Sequence, residues 1–208
     1  MIGHRPNCLI VGAGSEGTRH AENLSAAGLR IRAVDSSRER VEELQKKLPV
    51  EAVFVYLDEA LRDEVPDCVV VATPPHHHIV AMKKVLPLGV PVLLEKPPSM
   101  RLSEINEMCQ LQETSGSEVI VGYTWRWWPP LVELRRLLNA GTLGKIHHVQ
   151  MTMGANLVDW HPWEHYSDFY MAHPELGGGA LLDESHWIDV MLWLFGMPSE
   201  IFGQVEHI

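Results

Sequence analysis

The chain has 208 residues, 46% of them hydrophobic, which suits one or two globular domains with a real core. Lys+Arg 17 against Asp+Glu 27 give a net charge of -10 with no Lys/Arg-rich run, so nucleic acid is not an expected partner. No apolar run has the length of a membrane span, Met1 to Asn7 lack a secretory layout, and Cys8, Cys68 and Cys109 fit neither a disulfide framework nor a CxxC zinc site, so a cytoplasmic protein with reduced thiols is expected.

Cys8 to Val11 is an apolar run entering Gly12-Ala13-Gly14-Ser15-Glu16-Gly17, a G-x-G-x-x-G directly after a predicted strand. Thr18 to Ala27 carries helical spacing, and Gly28 stops it. Arg30 to Asp35 predicts a second strand, ending in an acid 18 residues beyond Gly17. Strand, glycine turn, helix, strand and terminal acid make up the dinucleotide-binding fingerprint, so NAD, or NADP, is the expected cofactor. Gly12 permits the tight turn, Gly14 lets the backbone approach the pyrophosphate, and Gly17 allows close helix–strand packing. Ser15 and Glu16 sit at the helix N-terminus, whose free N–H groups and positive dipole end face phosphates. Asp35 is placed to accept from the ribose hydroxyls and to repel a 2′-phosphate, which favours NAD; Arg38 is close enough to receive that phosphate instead.

Ser37 to Leu48 predicts a helix, Ala52 to Tyr56 a strand, and Asp58 to Asp63 a short helix. Cys68 to Ala72 is a buried strand ending at Thr73-Pro74-Pro75, where proline stiffens the floor on which a nicotinamide would lie, with Thr73 and Pro74 as cofactor-binding candidates. His76-His77-His78 then open a helix to about Leu88; adjacent histidines point in different directions, so no metal site is expected. Val92-Leu93-Leu94 is a short buried strand that stops at Glu95-Lys96-Pro97. Lys96 is thereby displayed at the carboxyl end of a strand, where open α/β sheets bind ligands. Ser103 to Thr114 and Glu118 to Val121 add a helix and a strand, and the alternation predicts a parallel doubly wound sheet over residues 1–121.

From Gly122 the texture changes. Gly122-Tyr123-Thr124-Trp125-Arg126-Trp127-Trp128-Pro129-Pro130 concentrates aromatics, and residues 122–208 are expected to form a partial α+β domain with an open sheet. Leu131 to Leu138 is helical; Ile146 to Met153 and Ile201 to Ile208 read as strands. Asn156 to Pro174 lacks periodicity and holds Trp163 and Tyr170, aromatics that suit the wall of a polyol pocket and equally suit interface packing. Gly177-Gly178-Gly179 opens a long helix, about Ala180 to Phe195, carrying Asp183, His186 and Asp189. The two aspartates flank His186, and one is placed to hold its imidazole in a single tautomer.

In order and spacing, these motifs resemble the glucose–fructose oxidoreductase / inositol dehydrogenase (Gfo/Idh/MocA) family of NAD(P)-dependent enzymes. The matching residues are Gly12 to Gly17, Ala72-Thr73-Pro74-Pro75 with His78, Glu95-Lys96-Pro97, Gly122-Tyr123 with Arg126 and Pro129, Gly144-Lys145-Ile146, and Gly177-Gly178-Gly179 leading to Asp183, His186 and Asp189. The resemblance implies a Rossmann domain followed by an α+β open-sheet domain, and sugars, cyclitols or their derivatives as substrates. It implies that Lys96, His186 and Asp183 belong to the active site, with His78, Glu95 and Lys96 near the cofactor and Arg126 near the substrate. It also implies a cis Lys96–Pro97 bond. Asp183-Glu184-Ser185-His186 is one residue shorter than the family pattern, and the chain is shorter than family chains, so a C-terminally shortened second domain is expected, either catalytically incomplete by itself or completed by another chain in a homo-oligomer.

The expected activity is hydride transfer between NAD(P) and a secondary alcohol or ketone of a sugar-like substrate. His186 is the better general base and Lys96 the group holding the alkoxide, with the reverse assignment open if burial lowers the lysine pKa. The rival readings are an enzyme with tightly bound NAD, performing internal redox or glycoside cleavage, and a non-catalytic NAD-binding module.

Overall fold

A computed structural model describes residues 5–160, 165–168 and 170–205. Six strands form one sheet: β1 (Asn7–Val11), β2 (Arg30–Val34), β3 (Val50–Phe54), β4 (Cys68–Val71), β5 (Val92–Leu94) and β6 (Val119–Val121). The order is β3-β2-β1-β4-β5-β6, every pairing parallel. Between them run α1 (Ser15–Ala26), α2 (Arg38–Lys47), α3 (Leu57–Asp63), α4 (Pro75–Val85) and α5 (Leu102–Ser115). This is the doubly wound Rossmann arrangement, with the strand order reversing between β1 and β4.

The apolar runs form central strands because both faces of the sheet are covered. Every residue of β1 is buried, and its alternate side chains serve two separate cores. Leu9 and Val11 join Val69, Val71, Met82, Leu94 and Met108 beneath α3, α4 and α5. Cys8 and Ile10 join Ala21, Ile31, Val41 and Leu44 beneath α1 and α2. A charged residue also sits inside β2: Arg32 is 1% exposed. Its guanidinium donates to the carbonyls of Ala60 and Glu64, both at 2.8 Å, and to Asp63 Oδ2 at 2.7 Å. It thus caps the end of α3, where carbonyls lack intrahelical partners.

The second half contains α6 (Pro129–Asn139), α7 (Leu157–Trp160), α8 (Ala180–Asp183) and α9 (Ser185–Phe195). Three expectations from the sequence are corrected here. Residues 146–153 form no strand, and neither do residues 201–205; positions 206–208 lie outside the described residues. Both segments have alternating or β-branched character, but among the described residues no partner strand faces them, and a lone strand cannot satisfy its backbone groups. The expected single helix over 180–195 is two helices, broken at Glu184 (φ -91, ψ 21). The consequence is local to the site: the carbonyl of Asp183 is released from the helical ladder.

Candidate active site

The carboxyl ends of β1, β2, β4 and β5 open onto a cleft of about 880 Å³ that continues to α8 and α9. At one end the glycine loop behaves as its spacing requires. Gly12 has φ +98, and a Cβ there would lie 2.6 Å from the Ala72 carbonyl oxygen. A Cβ on Gly17 would lie 1.8 Å from the Gly12 carbonyl oxygen, so α1 packs on the turn only with glycine there. Nothing lies within 4 Å of a Cβ built on Gly14, which leaves the N-terminus of α1 open to the cleft. Asp35, at the end of β2, is 8% exposed and accepts from the Ala13 and Ser37 N–H groups, both at 2.8 Å. Its carboxylate is therefore fixed at the cleft edge, with Arg40 Nη1 3.8 Å away. Open phosphate end, fixed acid and strand-order reversal together fit a dinucleotide.

Lys96 lies past the end of β5, followed by a cis bond to Pro97. Its Nζ donates to Asp183 Oδ1 at 3.0 Å and to the Asp183 carbonyl at 2.8 Å. The second bond exists because α8 ends at Asp183; the ammonium caps a helix C-terminus and pairs with the carboxylate of the same residue. Tyr170 Oη donates to the same carboxylate at 3.4 Å, and burial, then the negative charge of Asp183, push the phenol pKa far up. On the other side, Glu95 accepts from Lys96 N–H at 3.0 Å and lies 2.6 Å from His20 Nε2 of α1. Burial raises the Glu95 carboxyl, but the His20 and Lys96 contacts outweigh it and the net pKa is lowered.

His186 opens α9 and lines the same cleft. Burial first, and Lys96 next, lower its pKa from the ordinary 6.5, so it is neutral near pH 7. The expected carboxylate partner is absent among the described residues. Asp183 is taken by Lys96, and Asp189 receives two bonds from Arg126, Nε to Oδ2 at 2.8 Å and Nη2 to Oδ1 at 2.5 Å. His186 Nδ1 is buried with no partner among the described residues. The ring is held by stacking on Trp125, centroids 4.9 Å apart and planes 7° apart.

Gly12, Gly14, Ser15, Glu16, Asp35, Thr73, Pro74, Glu95, Lys96, Tyr170, Asp183 and His186 all line this cleft. Gly17 is not on its wall; it packs behind the loop. His78 is fully buried, with Nε2 2.7 Å from the Thr73 carbonyl and Nδ1 3.0 Å from the Pro97 carbonyl, so it ties the two cleft loops together from behind. Arg126 is committed to Asp189 and does not line the cleft. Trp163 lies outside the described residues. Among the described residues, Glu16, His20 and Glu95 bring one ligand atom each within 4.8 Å, but Glu16 pairs with Arg19 and His20 with Glu95. Sequence reading missed His20, Arg40 and Trp125. His20 had a signal, an ionisable residue one turn inside the glycine-loop helix; Arg40 and Trp125 are placed only by tertiary contacts.

The chain matches two family models, "Oxidoreductase family, NAD-binding Rossmann fold" over residues 6–123 and "GFO/IDH/MocA C-terminal domain" over residues 131–208. Inositol 2-dehydrogenase 1 of Saccharopolyspora erythraea is 31% identical over 207 residues, covering 95% of this chain and 56% of the relative. The scyllo-inositol 2-dehydrogenase (NAD(+)) of Bacillus subtilis is 29% identical over 145 residues, 68% of this chain and 42% of that protein. Myo-inositol 2-dehydrogenase from Lactobacillus plantarum has the same fold, with a TM-score of 0.80 at 21% identity over 93% of this chain and 57% of that one. The chain thus spans about half the length of these relatives. With a Rossmann sheet over one matched region and a GFO/IDH/MocA C-terminal domain over the other, the chain belongs to the Gfo/Idh/MocA oxidoreductase family.

Proposed function

We propose that this protein is an NAD-dependent dehydrogenase or reductase acting on a secondary alcohol or ketone of a cyclitol, sugar or related polyol. The observation that carries the reading is the ion pair of Lys96 and Asp183 in the same cleft as His186 and the glycine loop. Residues 1–121 hold the cofactor: the N-terminus of α1 takes the pyrophosphate, Asp35 the adenosine ribose, and Thr73, Pro74 and Glu95 line the path toward Lys96. When bound, NAD supplies the hydride acceptor, chemistry that belongs to the cofactor.

The side chains do the rest. Neutral His186 takes the hydroxyl proton, which suits a lowered imidazole pKa. Lys96, paired with Asp183, holds the developing alkoxide and raises the cost of charging His186 too early. Asp183 fixes the direction of the Lys96 ammonium, and Tyr170 fixes Asp183. The inositol dehydrogenases among the relatives support a cyclitol as the first substrate to try.

Residues 122–208 complete the substrate wall and, in this reading, join a homo-oligomer. Met191 on α9 is 37% exposed, with Ile188 at 47% and Phe195 at 38%, an apolar face suited to an interface. Trp187 and Trp193 of the same helix are half-buried, with Arg135 4.5 Å over the Trp193 ring. Light scattering at several concentrations tests the oligomer. Free thiols at Cys8, Cys68 and Cys109, with no described helix able to cross a membrane, support a cytoplasmic setting.

The deciding experiment is a panel of cyclitols and sugars read by absorbance of reduced cofactor, repeated with Lys96→Ala and His186→Ala. Each variant is expected to bind NAD nearly as the parent does and to lose about 10²-fold or more in turnover. Near-normal turnover in either variant removes that residue from the mechanism.

A further inference from the structure

His186 lies where a proton acceptor is needed, yet neither aspartate near it in sequence holds its ring. Asp183 is engaged by Lys96 and Asp189 by Arg126. Nδ1 is buried and unpartnered among the described residues, which leaves Nε2 for exchange with the cleft. What fixes the imidazole plane is an aromatic group. Trp125 lies parallel to it at 4.9 Å and 7°. Tyr123 meets the imidazole edge-on at 5.7 Å and 80°. Trp187 meets Trp125 edge-on at 4.9 Å and 86°, so the indole is itself braced. Trp125 belongs to the 3-10 turn Thr124–Trp127, and the neighbouring Arg126 pins that turn to α9 through Asp189.

An indole face within about 6 Å of a cation attracts it through the ring quadrupole. The face stacked on His186 is therefore neutral toward imidazole and favourable toward imidazolium. We propose that Trp125 is the positioning residue of His186: it holds the imidazole plane toward the cleft and stabilises the imidazolium formed when the substrate hydroxyl gives up its proton. The role a carboxylate fills in a carboxylate–histidine pair is here filled by a stacked indole. The inference rests on the reading of His186 as proton acceptor.

The charged and titratable groups that act on His186 are Lys96 and Glu95 beyond β5, Asp183 on α8, Asp189 on α9 and Tyr123 beyond β6. Burial and Lys96 favour the neutral ring, and the three carboxylates favour the charged one. Changing Trp125 leaves all of these charges in place, so its own share can be read directly.

The test titrates the His186 imidazole by NMR in the parent, Trp125→Phe and Trp125→Leu, with the signal assigned by its loss in His186→Ala. Binding of NAD and circular dichroism check that each variant is folded. The His186 pKa is expected to fall in the order Trp, Phe, Leu, by about half a unit to one unit in the Leu variant. With myo-inositol as probe, kcat is expected to fall about tenfold with KM little changed, since the base is no longer held in line. A His186 pKa that stays or rises in Trp125→Leu overturns the proposal, because water entry would then outweigh any lost stacking. So does a kcat within twofold of the parent. If the Leu variant does not fold, Trp125→Phe decides by the same criteria with a smaller shift. Near-normal turnover in His186→Ala would instead remove His186 from the chemistry, while the titration would still read the hold of Trp125 on the ring.

Discussion

Asp35 shows how a single side chain is made specific by its surroundings. Two backbone N–H groups fix both of its oxygens at the cleft edge, so it cannot turn away from an added phosphate. The arginine that approaches it is Arg40, at 3.8 Å. We expect Asp35→Ser to remove the repulsion and free Arg40, raising the ratio of NADP to NAD specificity constants by roughly 10- to 100-fold. Unchanged cofactor preference in steady-state kinetics would show that Asp35 does not set it. The imidazole of His186 leads to a second expectation at this scale. A base works when deprotonated, and burial with Lys96 lowers the pKa of this one below 6.5. The acid limb of kcat/KM for alcohol oxidation is therefore expected to have its midpoint below pH 6.5. A pH–rate profile whose acid limb sits above that value would argue for a different base.

Among the elements, two junctions decide the site. The first is the turn between β1 and α1, where helix and loop touch with no room for a side chain. A Cβ on Gly17 would overlap the Gly12 carbonyl oxygen at 1.8 Å. The Gly17→Ala substitution is expected to destabilise the fold by about 1–3 kcal/mol through overpacking, and to weaken NAD binding because α1 must move off the turn. Urea unfolding with parallel NAD titration checks both; a variant with parental affinity would mean that α1 can shift without disturbing the phosphate end. The second junction is the break between α8 and α9. A continuous helix would place the Asp183 carbonyl in the ladder; the break gives it to Lys96 instead. Backbone and side chain of one residue thus grip the ammonium at two points.

Across the whole molecule, among the described residues, side chains at the end of the Rossmann sheet tie it to the following segment, and a further pair fixes that segment internally. The Lys96–Asp183 pair and His76, with Nδ1 3.1 Å from the Leu176 carbonyl, join the two halves, and Arg126 with Asp189 ties the turn after β6 to α9 within the second. Asp189 is 7% exposed, whereas the Arg126 side chain is 43% exposed, so water moderates the loss of the arginine. The Arg126→Ala variant is expected to lose about 1–3 kcal/mol and to become more sensitive to proteolysis beyond residue 122, with NAD affinity kept, since neither residue lines the cofactor end of the cleft. Equal proteolysis rates in variant and parent would show that the pair does not hold α9 in place.

The parallel doubly wound sheet, the glycine turn, and Asp35 and Lys96 at strand ends were legible in the sequence, whereas the strand order and the division into two cores came from the structure. The legible determinants are local: apolar runs, glycines at fixed offsets and prolines act on neighbours in the chain, so position alone implies conformation. The second half resisted that reading for a physical reason. Residues 146–153 and 201–205 have strand-like patterns, but a strand exists only when another strand satisfies its backbone, and pattern alone does not supply one. The partner of His186 was likewise beyond reach. Spacing placed two aspartates beside it, and only the folded chain showed both already held, by Lys96 and Arg126, with Trp125 stacked on the ring instead. Long-range pairing decided that choice, because the competitors for each carboxylate arrive from distant elements.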